Sequence, residues 1–354
     1  MNKNHLAALA VFCAGAACAA DRIVTGPDRA TQVEIGHDLS RLIAQPAGIE
    51  LDVEPSKGSI ENLRRLRTEP GVRLALVQSD VYRAMRDQVS AGDVEAGRLI
   101  RPLRALLPLF DEELYFVVRA DSPMKHIGDI RGKRINVGEL GGGTALTATT
   151  VYRTIFNSQP DEGKLSYLSN EQALLKLATD KSIDVVVVVA GQPARLFSEM
   201  TPQARNFIKL LPLDPDAPSS SALRNVYGEA TIRADSYSQW LRADVRTLAV
   251  KSLLVTYDYQ AHGTRDVLVR FAKSLCTNFD RLQAEGHSKW RETRLGQPPL
   301  AKGWSYYSAT TEILSSCGPA RPSVAIGSGK PSATPLACTR ERAVLGLCNA
   351  AGAK

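Results

Sequence analysis

Two periods of hydrophobicity take turns along the chain. Arg22 to Thr25 reads as a short strand, and Gly26 to Thr31 turns into a segment with Ile35, Leu39, Leu42 and Ile43. Their i, i+4, i+7, i+8 spacing puts one apolar stripe on a helix. A second strand, Ile49 to Val53, leads through Lys57-Gly58-Ser59 into a helix with Ile60, Leu63 and Leu66 facing inward and Ser59 as its N-cap. A third strand, Val72 to Val77, runs out at Gln78, and the cap-like pair Ser79 and Asp80 opens the next helix. Repeated strand-helix order predicts an α/β fold with a mainly parallel sheet and right-handed crossovers.

Leu103 to Phe110 and Leu114 to Val118 are apolar runs separated by Asp111, Glu112 and Glu113. This acidic step reads as a solvated turn, with the crossing into a second lobe nearby. The alternation then resumes. A strand at Arg134 to Gly138 meets the glycines 141 to 143, a helix starts at Thr144, and a strand lies near Leu165 to Leu168. Ser169 and Gln172 fit a capping box for a helix with Ala173, Leu174, Leu177 and Ala178 on one side. Ile183 to Ala190, with five consecutive valines, predicts the buried centre of this second sheet. It ends at Gly191-Gln192-Pro193, where proline suits a first helical position. Ala217 to Ser221 is a polar connection, and Thr247 to Thr256 suits a strand returning to the first lobe. A helix from Asp266 to Leu282 carries Leu268, Phe271, Leu275, Phe279 and Leu282 on one stripe.

In sheets of this kind ligands bind beyond the carboxyl ends of the strands. The loops Gly26 to Thr31, Lys57 to Asn62 and Gln78 to Asp80 therefore outline one wall of a cleft, although each alone also reads as plain turn or cap chemistry. The glycine run admits two readings. It is either a tight connection or a place where backbone approaches a ligand and the unpaired N–H groups of a helix start receive an anion. Thr144 is placed to cap that helix and to offer a hydroxyl. No Lys-Ser or Lys-Thr follows the glycines and their spacing is wrong for a dinucleotide fingerprint, so neither nucleotide motif applies.

Composition adds an address. Lys3, the apolar stretch Leu6 to Phe12 and the small residues Ala17 to Ala20 predict a cleavable signal peptide over 1–20, hence a periplasmic destination. Four cysteines remain, Cys276, Cys317, Cys338 and Cys348. Even parity in an exported chain argues for two disulfides; three pairings are open, of which Cys276 with Cys317 and Cys338 with Cys348 is the simplest. Among 354 residues, 44% are hydrophobic and 23% charged, which suits a soluble globular chain. The net charge of +7 is spread without a dense basic run, so nucleic acid is not an expected partner. Scattered histidines and the absence of C-x-x-C leave a zinc site without support, and neither metal nor cofactor is expected.

Taken in order, KGSIEN, LALVQSDV, LRALLPLFDEELYFVVRADSP, IGDIRGKRINVGELGGGTALTA, VVVVVAGQP and VRTLAVKSLLVT resemble the TAXI-type solute-binding proteins of tripartite ATP-independent periplasmic (TRAP) transporters. The resemblance spans roughly Arg22 to Cys317. It implies a two-lobed periplasmic binding protein fold of class II type, with mainly parallel sheets flanked by helices and a ligand cleft between the lobes. Such a protein closes as a monomer on a small organic anion (dicarboxylate, amino acid or keto acid) and delivers it to integral membrane TRAP permease subunits. Carried onto this chain, the contact positions are Ser59, Asn62, Gln78, Ser79, Gly142, Gly143, Thr144 and Gln192. Two departures stand out. The family's glycine- and tyrosine-containing first turn is replaced by Pro27, Asp28 and Arg29, and Gly142 stands where serine is common. Arg29 brings a cation suited to a carboxylate.

The expected organisation is a signal peptide at 1–20, lobe I at 21–118 plus 225–316, lobe II at 119–224, and a Pro/Ser/Gly-rich tail at 317–354 holding a disulfide loop. No G-x-S-x-G occurs, and no serine, histidine and aspartate can be placed together, so no catalytic residues are expected. A binding protein serving a sensor kinase or an ABC-type permease is the alternative, since one architecture serves them all. A purely structural role is the third reading.

Overall fold

The computed structural model describes residues 20–317. The expected signal peptide up to Ala19, and the tail beyond Cys317 with its Cys338–Cys348 loop, lie outside the described residues. The chain begins with β1 (Asp21–Val24), α1 (Thr31–Asp38, continued by a π-helical turn over Leu39–Ala44), β2 (Leu51–Glu54) and α2 (Ser59–Thr68). Next come β3 (Val72–Gln78), α3 (Ser79–Ser90), α4 (Val94–Ile100) and the long β4 (Leu103–Arg119). Then follow β5 (Ile135–Asn136), α5 (Gly143–Phe156), β6 (Leu165–Ser166), α6 (Asn170–Ala178), β7 (Val185–Ala190) and the short α7 (Arg195–Ser198). The remainder is β8 (Ile208–Leu210), α8 (Pro218–Arg224), β9 (Gly228–Ile232), β10 (Val245–Tyr257), α9 (His262–Glu285) and α10 (Ser308–Ser316).

The strands form one continuous sheet in the order β2-β1-β3-β10-β4-β7-β5-β6, with β8 on β4 and β9 on β10. Strands joined through helices pair in parallel, β1 with β2 and β3, and β5 with β6 and β7. The two long strands run antiparallel to their neighbours. Each belongs to both halves of the molecule. On β10, Ser252 to Val255 pairs with β3, whereas Val245 to Ala249 pairs with β9. On β4, Glu113 to Val118 pairs with β7, and the part before Pro108 pairs with β10 alongside β3. The β4/β10 register shifts between Lys251 and Leu253. The fold is thus two-lobed, with two strands crossing from lobe to lobe.

Alternation sorts the cores. Ile23 packs with the π-helical turn and α9, while Val24 packs on the other face with α2 and α3. In β7, Val185 and Val187 face one cluster and Val186 and Val188 the other, as period-2 geometry requires. The predicted helical stripes on α1 and α9 lie in the first core, and α10 packs beside them, tied to α9 by the Cys276–Cys317 disulfide with Cα atoms 5.5 Å apart.

Local corrections follow from packing. Asp111 to Glu113 do not form a turn but sit mid-strand in β4, where Glu112 is 0% and Glu113 3% exposed. Their hydrogen bonds are made by neighbouring side chains, so β4 runs on through the acidic step. Ser59 does not cap α2; Gly58 holds that position, and Ser59 Oγ instead accepts from the Gln78 backbone N–H at 3.0 Å. Gly142, not Thr144, precedes the first turn of α5. Pro193 follows a cis peptide bond and lies ahead of α7, not at its first position, and Ala217 to Ser221 is not a connection but the N-cap and first turn of α8.

Candidate functional site

The loops at the carboxyl ends of β1, β2 and β3 meet the start of α5 across a narrow cleft. Backbone comes close here because glycines allow it. Gly58, with φ at +117°, lies against Gly143, and the Glu61 N–H donates to the Gly141 carbonyl at 3.0 Å. A Cβ on Gly142 would stand 2.6 Å from the Lys57 carbonyl oxygen. The glycine run therefore does two things: Gly141 and Gly142 join the lobes, and Gly143 opens the helix start onto the cavity.

Of the nine positions expected at the site, Arg29, Ser59, Gln78, Gly143 and Thr144 line the cavity. The other four lie elsewhere. Asn62 is fully buried behind the wall, donating to Thr25 O at 2.6 Å and Leu76 O at 2.7 Å while Oδ1 accepts from Ser56. It ties the ends of β1 and β3 together. Ser79 begins α3 outside the cavity, and Gly142 packs on Lys57. Gln192 is consumed by lobe II and the crossing strand. Its N–H and Nε2 donate to Glu113 at 2.9 Å, Nε2 also reaches Thr231 O at 2.9 Å, and Oε1 accepts from the Arg233 N–H at 2.9 Å.

Arg29 spans the cleft mouth to pair with Glu199, and both side chains are nearly half exposed. Arg195 also reaches Glu199, at 2.9 Å, and stands 3.6 Å from Glu34. At the junction of α3 and α5, Asp80 is buried and accepts from Thr147 Oγ1 at 2.6 Å and Tyr227 OH at 3.2 Å. Burial raises the Asp80 carboxyl above the ordinary aspartate range, against the pull of these two hydroxyls.

Gln78 forms the floor of the cavity, and Glu112 and Glu113 lie behind it, mid-strand where the lobes cross, without lining the cavity themselves. Glu113 pairs with the buried Lys289 at 2.7 Å, and burial raises its pKa against that attraction. Glu112 accepts from Gln78 Nε2 at 2.7 Å. Burial pushes Glu112 up to about 7, opposed by the hydrogen bond from Gln78 and by the nearby Gln32 amide, with Glu113 adding to the rise and Lys289 subtracting. Neither Glu112 nor Gln32 figured among the expected site residues. No local signal marked the carboxylates: Pro108 and the run Asp111 to Glu113 interrupt the strand-forming residues of β4, and only their long-range partners show that the strand continues. Among the described residues, no group of three or more His, Cys, Asp or Glu is placed to hold a metal ion.

Two lobes crossed by two strands, with a polar cleft at the strand ends, define the architecture of a periplasmic solute-binding protein. Residues 23–302 match the model of the NMT1-like family, and the chain belongs to that family of binding proteins. Among solved structures it is similar to the periplasmic binding protein BugD, at 13% identity over 77% of this chain and 84% of that one, with a TM-score of 0.46. It is also similar to the arginine-, lysine-, histidine-binding protein ArtJ of Geobacillus stearothermophilus, at 12% identity over 75% and 98%, with a TM-score of 0.41. A histidine kinase sensor domain with similarity to periplasmic binding proteins matches at 14% identity over 78% and 97%, with a TM-score of 0.44.

Proposed function

We propose that this chain is a TAXI-type periplasmic receptor that captures a small organic anion by lobe closure and presents it to a TRAP-type membrane permease. One observation carries the reading: the start of α5, Ser59, Gln78 and Arg29 converge on one cavity from both sides of the crossing strands. Helix-start N–H groups and a guanidinium suit a carboxylate, and no bond-making group is needed. Arg29, Ser59, Gln78, Gly143 and Thr144 are the proposed ligand contacts, with Asn62, Ser79, Gly142 and Gln192 holding the walls. The apolar clusters support lobe boundaries within the crossing strands, between Phe110 and Leu114 and between Val250 and Leu253. By mass action, a ligand that binds only the folded state raises the melting temperature. A thermal-shift screen of carboxylates, amino acids, keto acids and inorganic anions is expected to yield one active class. No shift from any of them, with no small molecule released on denaturation, overturns the reading.

A further inference from the structure

Two buried acceptor oxygens have no partner: Gln78 Oε1 at the cleft floor and Glu112 Oε1 behind it. The residues are 4% and 0% exposed. The two orphans are linked through the bond from Gln78 Nε2 to Glu112 Oε2. An ionised carboxylate only accepts, so it takes the amide's nitrogen and turns the amide's oxygen the other way. That oxygen occupies the space a Cβ on Gly143 would fill, at the wall where Gln78, Ser59 and Gly143 line the cavity. Facing it, a second carboxylate or a keto oxygen sets acceptor against acceptor, whereas an N–H group completes a hydrogen bond.

We propose that this floor selects a small acid carrying an ammonium or amide N–H, and rejects simple dicarboxylates and keto acids. Gln78 makes the contact and Glu112 is the positioning residue that fixes which way its amide faces. The inference rests on the cleft being the solute site and narrows the solute's class.

A structural role alone would not couple selectivity to pH, whereas this arrangement does. The groups acting on Glu112 are Gln78 from β3, Gln32 from α1, its neighbour Glu113 and Lys289. Once protonated, below about 7, the Glu112 carboxyl becomes a donor, attracts the amide's oxygen and turns its nitrogen to the cavity.

Matched pairs test this by calorimetry on the mature chain: glutamate against glutarate and 2-oxoglutarate, aspartate against succinate, and alanine against propionate, at pH 6 and pH 8. At pH 8 the aminated member of the binding pair is expected to bind at least tenfold tighter. The ratio is expected to shrink at pH 6, to fall below threefold in Gln78→Met, and to lose its pH dependence in Glu112→Gln. Deaminated acids binding as tightly as their aminated partners in the unmodified chain overturn the acceptor floor and leave the binding reading standing, whatever the variants do. If no compound of the series binds, the proposal fails; the wider screen then judges the binding reading separately.

Discussion

Thr147 on α5 donates its hydroxyl to the buried carboxylate of Asp80 on α3 at 2.6 Å, which makes one hydrogen bond a fastener between helices of opposite lobes. Asp80 Oδ1 has no partner, so the remaining bonds carry more weight. Thr147→Val keeps the shape but removes the donor, and the expected cost is about 1–3 kcal/mol, read from denaturant unfolding. The pH response has a definite sign. Because burial raises the folded-state pKa, the native chain holds this proton more firmly than the unfolded one. Asp80's contribution is therefore fully present below the ordinary value of 3.8 and is lost as pH rises through the raised value. Asp80→Asn is expected to flatten that part of the stability profile and to raise the melting temperature near pH 7. An unchanged profile would place the loss of stability with rising pH elsewhere.

Gly142 concerns closure, not ligand contact. A methyl there meets the Lys57 carbonyl oxygen at 2.6 Å, and backbone cannot swing aside as a side chain can. Gly142→Ala is expected to leave each lobe folded while weakening ligand binding tenfold or more, about 1.4 kcal/mol, because the lobes meet only after that loop shifts. Gly143→Val meets Ser59 and Gln78 instead and is expected to abolish binding by filling the cavity wall. Circular dichroism separates unfolding from lost closure, and wild-type affinity in Gly142→Ala would remove the turn from the closing contact.

Where local pattern decides structure, these elements were legible in advance. The stripe from Leu268 to Leu282 and the five valines of β7 find their cores because period alone sets which side chains share a face. Parity left three cysteine pairings open, and Cys276–Cys317 belongs to the simplest of them. The acidic step in β4 was not legible, since nothing local says that Gln78 and Lys289 arrive to satisfy Glu112 and Glu113. Gln192 and Asn62 show the same limit: a polar residue in a strand-end loop looks alike whether it faces a cavity or bonds the wall behind it. Only the long-range partners separate the two.

Arg29 is already engaged by Glu199, which bears on how it would meet an anion. Both side chains are exposed, so their pair adds little stability, on the order of 0–1 kcal/mol. Arg29→Ala is then expected to leave the melting temperature within a degree or two while weakening an anionic ligand by about 1–3 kcal/mol. Glu199→Gln tests the other side, since freeing the guanidinium is expected to hold or improve affinity. Equal losses from both substitutions would assign the pair to lobe closure and not to ligand contact.

The disulfide links α9 to α10 far from the cleft. It closes a loop of 41 residues, for which chain entropy gives roughly 4 kcal/mol as the unstrained stabilisation. Its half-buried sulfurs pack beside Phe279 and Leu295 near a surface groove, so a reductant has a path to them. Reduction, or Cys276→Ser with Cys317→Ser, is expected to lower the melting temperature by several degrees and to free α10 for proteolysis. Ligand affinity, measured below the new transition, is expected to stay within twofold, because the cavity is lined from the loops after β1 and β2 and from β3, α5, α6 and β7, and α10 contributes no lining residue. A larger loss of affinity would mean that α10 braces lobe I through the bridge from Ala105 in β4 to Tyr306, and that the crossing strand passes its position on to the cleft floor.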